Sequence, residues 1–208
     1  LAAYGHPELP VARRPEVAIL STGDELVMPG DAPGPDQIFA ANAFGLHALL
    51  SEAGAMPRLL PLVPDDREAL AHALSLAEGA DLVLTIGGAS VGDHDLVAPA
   101  AQAAGADLSF HKVAMRPGKP LLAGRFPDGR LLLGLPGNPV SAMVCGLIFL
   151  RPMILAMQGL PPVATPRQRA RLAVPLPAGG PREHFLRARR RADGAVIPFP
   201  SQDSSLLS

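Results

Sequence analysis

The sequence predicts an α/β fold, a three-layer arrangement around a mostly parallel sheet, followed by a small β domain. Three observations carry this. First, the runs Val17–Leu20 and Leu82–Ile86 are short, mostly apolar and closed by polar or glycine residues. Such runs suit strands buried on both faces of a parallel sheet. Second, helix-period segments alternate with them and stop at glycines such as Gly54 and Gly105, where a left-handed cap is needed. Third, beyond Gly159 the prolines Pro161, Pro162 and Pro166 break the pattern. Short alternating segments separated by Gly179-Gly180 and Asp193-Gly194 follow, as in small β structures.

Taken in order, residues 1–16 read as a linker or connecting strand, 17–160 as the α/β domain and 161–208 as a partial β domain. The strand at Val17–Leu20 leads into Ser21-Thr22-Gly23-Asp24-Glu25. Residues 28–37 are rich in Pro and Gly and predict a surface loop. Phe39–Ala53 has helical spacing of Phe44, Leu46 and Leu50. Arg58–Val63 reads as a strand, and Asp65 or Asp66 as the N-cap of a helix over Arg67–Ala77 with Glu68 in its first turn. After the central strand, Leu96–Ala104 predicts a short helix and Leu108–Met115 a strand. Leu121–Gly124 and Leu131–Leu133 suit a hairpin. Val140–Met157 is a long apolar helix, interrupted by Arg151 and Pro152, and reads as a buried core helix rather than a membrane span.

Composition narrows the function classes. Hydrophobic residues make up 48% of the 208-residue chain, enough for a sizeable core. Aromatics are 4%, Trp is absent and the formal net charge is −1. Base-stacking platforms and bulk electrostatic attraction are therefore weak, and neither nucleic acid nor membrane is an expected partner. The single cysteine, Cys145, rules out an intramolecular disulfide and a cysteine metal cluster. A reducing, cytoplasmic setting fits.

The chemistry gathers just past the strands. Thr22, Gly23, Asp24 and Glu25 follow the first; Gly87, Gly88, Ser90, Gly92, Asp93 and Asp95 follow the central one. Arg116-Pro117-Gly118-Lys119-Pro120 presents two cations in a proline-stiffened loop. Pro136-Gly137-Asn138-Pro139, with Ser141, opens the long helix, whose free N–H groups and dipole favour an anion. Each stretch alone reads equally well as an ordinary turn, Asp95 for instance as a helix N-cap. Together they fall at strand ends, where open α/β sheets bind ligands. Carboxylates suit a hard divalent cation, while Lys119 and backbone N–H groups suit phosphate. The GxxxxGK[ST] and GxGxxG patterns are absent, as is GxSxG.

Four motifs in one order, STGDEL at 21–26, GGASVGDHD at 87–95, RPGKP at 116–120 and LPGNPVS at 135–141, resemble the MoeA/gephyrin family of molybdopterin molybdenumtransferases. The resemblance implies a molybdopterin-binding-like α/β domain followed by part of the family's C-terminal β domain. It implies molybdate insertion into adenylylated molybdopterin (molybdopterin-AMP) with release of AMP, in the presence of Mg²⁺ or another divalent cation. It assigns catalysis and metal binding to Glu25, Asp93 and Asp95. Substrate contacts fall to Thr22, Gly23, Asp24, Gly87, Gly88, Ser90, Gly92, Arg116, Pro117, Gly118, Lys119, Pro136, Gly137, Asn138, Pro139, Ser141 and Arg187, with Ser204 or Ser205 as further anion contacts. A homodimer and contact with a molybdopterin adenylyltransferase are also implied.

The chain departs from the family pattern at Ala89, Asp93 and His94, where the family usually has Val, Glu and an aromatic or small residue. Ala40 and Ala41 stand where a carboxylate and a hydroxyl are usual, and Arg116 replaces a lysine, which keeps charge but alters geometry. Two alternatives share this fold. One is the adenylyltransferase, for which a GG-T-G turn followed by Arg-Asp is expected. The other is a molybdopterin-binding scaffold with impaired catalysis.

Overall fold

A computed structural model describes residues 1–88, 96–161 and 166–205. Its centre is a six-stranded sheet in the order β4-β1-β5-β9-β8-β6. The strands are β1 (Glu16–Ser21), β4 (Met56–Leu59), β5 (Leu82–Ile86), β6 (Asp107–Phe110), β8 (Leu122–Arg125) and β9 (Leu131–Leu135). β4, β1, β5 and β9 run parallel, and β8 is antiparallel to both its neighbours. Every residue of β5 is buried, because both faces of the sheet are covered.

The alternation of side chains along β1 and β5 divides the core in two. Val17, Ile19, Leu82, Leu84 and Ile86 pack on one face against α1 (Ala41–Glu52) and the long helix α4 (Pro139–Met157). Ala18, Leu20 and Val83 pack on the other against α2 (Arg67–Leu76) and α3 (Val97–Ala103). This is the three-layer architecture. α4 is long and apolar enough to cross a membrane by length and composition. It lays Ala142, Cys145, Leu150 and Ile154 into the core. Its middle turn, Gly146–Leu150, is a π-helical segment.

Local departures from the sequence reading have non-local causes. α1 starts at Ala41 because Ile38–Phe39 forms strand β3, paired with β2 (Leu26–Val27). The pairing closes the 28–37 loop beside Glu25, whose carbonyl accepts from the Ile38 N–H at 2.8 Å. The strand read at Arg58–Val63 is Met56–Leu59; Val63 forms only an isolated bridge with Thr22. The run Leu108–Met115 splits into β6 and β7 (Met115–Arg116), with an irregular register at Leu108/Phe110. The hairpin forms as β8 and β9, with the Arg130 guanidinium 4.7 Å from the Phe126 ring centroid. Asp66, not Asp65, caps α2, accepting from the Ala69 N–H at 2.9 Å.

The C-terminal segment forms three short strands, β10 (Glu183–His184), β11 (Ala188–Arg190) and β12 (Val196–Pro198). β11 and β12 are an antiparallel pair. β10 pairs in parallel with β7, so it is stitched directly to the Arg116 loop.

Candidate functional site

The carboxyl ends of β1, β5 and β9 lie side by side, and their turns are joined backbone to backbone. Thr22 N–H donates to the Ile86 carbonyl at 3.0 Å, and Gly87 N–H to the Leu135 carbonyl at 3.1 Å. Gly87 has φ +88, and a Cβ built on it would stand 2.4 Å from the Thr22 carbonyl oxygen. Only glycine allows that approach. A Cβ on Gly137 would reach within 3.5 Å of the Gly87 Cα. The TGDE, GG and PGN turns therefore form one corner.

Side chains fix this corner from below. The Thr22 hydroxyl donates to Asp65 Oδ1 at 2.8 Å, and the Asp65 N–H donates to Asp24 Oδ1 at 3.0 Å. Asn42 Nδ2 donates to the Gly137 carbonyl at 2.6 Å. Asp24 is thus engaged in holding the turn. Glu25 is exposed, with its carboxylate folded back over Gly23, where a Cβ would lie 2.5 Å from Oε2.

The cationic loop sits on the other side of the start of α4. A cavity of about 350 Å³ is bounded by Arg116, Gly118, Lys119, Ser141, Arg182 and Ser204, among others. Pro117 follows a cis peptide bond, and Gly118 is buried against Cys145: a Cβ there would lie 2.5 Å from Sγ. Burial pushes the Cys145 thiol up to about 12, so it is a packing group rather than a nucleophile.

The C-terminal segment closes this cavity. Asn138 Nδ2 donates to Ser204 Oγ at 3.1 Å, and Val140 N–H donates to the Ser204 carbonyl at 3.0 Å. One free N–H of the α4 start, expected to be open to an anion, is thus taken by Ser204. Arg187 donates through Nη2 to the carbonyls of Ser201 and Asp203, at 3.3 and 3.0 Å. It holds the loop that carries Ser204. Asp203 accepts from Ser205 N–H and Oγ at 2.9 and 2.8 Å, and the Ser205 backbone bond is the main cause of its lowered pKa.

The family profile described as "Probable molybdopterin binding domain" matches residues 18–156. The chain belongs to this molybdopterin-binding domain family. It is 44% identical over 163 residues to a molybdopterin molybdenumtransferase of Nostoc, covering 77% of this chain and 37% of that protein. It is 39% identical over 193 residues to molybdopterin molybdenumtransferase 2 of Mycobacterium tuberculosis, covering 90% of this chain and 47% of that one. The crystal structure of a molybdopterin biosynthesis MoeA protein from Pyrococcus horikosii superposes with TM-score 0.74 at 28% identity, covering 90% of this chain and 46% of that chain. The chain thus spans less than half the length of these relatives.

Within this molybdopterin-binding domain, the structure gathers Thr22, Gly23, Asp24, Glu25, Gly87, Gly88, Pro136 and Gly137 at one corner. It gathers Arg116, Pro117, Gly118, Lys119 and Ser141 at the adjoining cavity, with Asn138 tied to Ser204 at its edge. Ser90, Gly92, Asp93 and Asp95 lie outside the described residues, as do Ala89 and His94. Among the described residues no group of three or more His, Cys, Asp or Glu could hold a metal ion. Glu25 supplies one oxygen donor of the kind a divalent cation takes, which does not by itself make a cation site. Asp65, Asn42, Arg182 and His184 escaped the sequence reading as site residues. Asp65 gave one signal, a second carboxylate directly before an N-cap, which needs no second acid.

Proposed function

We propose that this chain is the catalytic portion of a molybdopterin molybdenumtransferase, which inserts molybdate into adenylylated molybdopterin and releases AMP. One observation carries the reading. Arg116 and Lys119, with no ion pair among the described residues, face a cavity with Ser141, next to the glycine corner of a molybdopterin-binding domain. A molybdenumtransferase must hold a pterin phosphate and a second oxyanion together.

In this reading Arg116 and Lys119 bind oxyanion oxygens through charge-assisted hydrogen bonds. Ser141 and Ser204 add neutral donors. The backbone of Thr22, Gly23, Gly87, Gly88 and Gly137, with Ser90 and Gly92, lines the pterin-phosphate pocket, and Pro136 and Pro139 stiffen its edge. Glu25, Asp93 and Asp95 hold a divalent cation such as Mg²⁺, which when bound offsets phosphate charge. Asp24 orients the turn, and Arg187 acts through the Ser204 loop. The protein works in the cytoplasm as a homodimer and receives its substrate from a molybdopterin adenylyltransferase.

The test is AMP release from adenylylated molybdopterin by the full-length protein, with and without molybdate and Mg²⁺. Molybdate-dependent release that disappears in Asp95→Ala is the expected result. Absence of release in a folded, pterin-binding protein overturns the reading.

A further inference from the structure

A circuit of hydrogen bonds closes the glycine corner from outside the sheet. The Gly23 carbonyl accepts from Leu26 N–H at 3.1 Å, the Glu25 carbonyl from Ile38 N–H at 2.8 Å and the Val27 carbonyl from Ala40 N–H at 2.9 Å. Through β2 and β3 the Glu25 segment is thus tied to the start of α1. Asn42, the second residue of α1, then donates through Nδ2 to the Gly137 carbonyl at 2.6 Å. The bonds from Gly87 N–H to the Leu135 carbonyl and from Thr22 N–H to the Ile86 carbonyl complete the return. Each of these links joins backbone to backbone except the one that Asn42 makes.

The two arms of the circuit carry different parts of the site. Glu25 lies on the first. Gly137 opens the second, which runs into Ser141 at the cavity. α1 and α4 also share one apolar core, through Ala43, Leu46, Ala142 and Cys145. Apolar burial is non-directional, whereas a hydrogen bond to a carbonyl demands a distance and an angle. No neighbour in the first turn can replace Asn42. The start of α1 reads Ala40-Ala41-Asn42-Ala43, its N-cap makes no side-chain hydrogen bond and its first turn holds no acid.

We propose that Asn42 is a positioning residue of this site. By holding the Gly137 carbonyl it fixes the separation between Glu25 and the start of α4. This deepens the molybdenumtransferase reading and rests on it for the reaction. Groups held on separate segments lose rate steeply when one shifts slightly. A tie that only stabilised α1 would leave the rate of the folded enzyme alone.

The experiment is AMP release by the full-length protein, with kcat and KM measured separately, beside urea denaturation and hydrogen exchange. Asn42→Ala removes the donor. Asn42→Asp keeps the shape and puts a carboxylate in the first turn of α1, where the helix dipole favours it, but a carboxylate cannot donate to a carbonyl. Both variants lower kcat about tenfold or more, while KM for molybdate and for molybdopterin-AMP stays within about threefold. The urea midpoint of Asn42→Asp stays close to that of the wild type. Ala41→Asp places the same charge one residue earlier with the Asn42 bond intact, and changes kcat less than about twofold. In Asn42→Ala, hydrogen exchange quickens over residues 38–43 and 137–141 and not in β5.

Unchanged kcat in both Asn42 variants overturns the proposal. So does a loss confined to KM, an equal loss in Ala41→Asp, or a loss of kcat matched by the fraction of unfolded protein. The wild type separates the two claims. Release by the wild type with no loss of kcat in the variants removes the positioning role alone. No release by the folded wild type removes the enzyme reading. Faster exchange of both segments in Asn42→Ala then keeps Asn42 as the residue that positions the corner, and unchanged exchange removes that as well.

Discussion

The two halves of the site are built in opposite ways. The glycine corner at the ends of β1, β5 and β9 is a backbone structure, in which the Gly87 turn meets the Thr22 carbonyl at a distance that admits no side chain. The cationic hollow is a side-chain structure, in which exposed basic groups from β7, β10 and the Arg116–Pro120 loop surround open space. The corner is tied to the core of the sheet, so damage there costs stability. The hollow lies at the rim, so damage there costs binding. Variants in one half should move one observable and leave the other nearly still.

The largest expected effect is in the corner. Gly87→Ala places a Cβ 2.4 Å from a backbone oxygen at φ +88. Strain and clash together cost about 3 kcal/mol or more in urea denaturation. Gly137→Ala is the matched control. Its Cβ meets only an ordinary 3.5 Å contact, and the loss stays within about 1 kcal/mol. Equal losses in the two would break the account of the corner as a steric lock.

In the hollow, Lys119→Gln removes an exposed cation with no partner among the described residues. Stability changes by less than about 0.5 kcal/mol, as for other surface sites. Oxyanion affinity, measured by dialysis, falls about tenfold or more. A large change in the urea midpoint with unchanged affinity would reverse the assignment.

How far each half can be read from the sequence follows from the same contrast. The strands β1 and β5 were legible because burial on both faces leaves short apolar runs, whereas β9 reads only as one arm of a hairpin, and its parallel place beside β5 comes from the fold; the residues after these strands then share one edge by topology alone. Arg116 and Lys119 were legible as cations in a proline-stiffened loop. Asp65, Asn42, Arg182 and His184 were not, because their roles depend on pairings remote in the chain. Thr22 and Asp65 are 43 residues apart, Asn42 and Gly137 are 95 apart, and Asn138 and Ser204 are 66 apart. Nothing local marks Arg182 as different from Arg189. Only the pairing of β10 with β7 brings one to the hollow and leaves the other on β11. The start of α1 was misplaced for the same reason, since the β2–β3 pairing that claims Phe39 has no local signature.

The contact between the two halves is itself testable. Asn138→Ala removes the hydrogen bond to Ser204 Oγ at 3.1 Å. Its loss costs about 1 kcal/mol, and hydrogen exchange of residues 201–205 should quicken more than that of β5. Uniform protection in both regions would mean that the C-terminal segment is held by Val140 N–H and Arg187 without Asn138.

The smallest effect is at the opposite end of the sheet, where Asp81 binds Arg13. Arg13 Nη1 donates to Asp81 Oδ2 at 2.6 Å, Nη2 pairs with Oδ1, and Glu16 N–H donates to Oδ2 at 2.8 Å. The hydrogen bond from Arg13 is the main cause that holds the Asp81 carboxyl below its usual range. A depressed carboxyl stabilises the fold above its unfolded value of about 3.9, and that contribution is lost as pH falls through the folded value. The Arg13 side chain is 71% exposed, so solvent screening keeps the effect of Asp81→Asn at neutral pH to about 1 kcal/mol or less. The difference between variant and wild type in urea midpoint should shrink steadily below about pH 4, while AMP release at neutral pH stays the same. Asp81 therefore separates a charge that holds the fold from the charges of the hollow. Its partner is already in place, whereas Arg116, Lys119 and Arg182 have no ionic side-chain partner among the described residues.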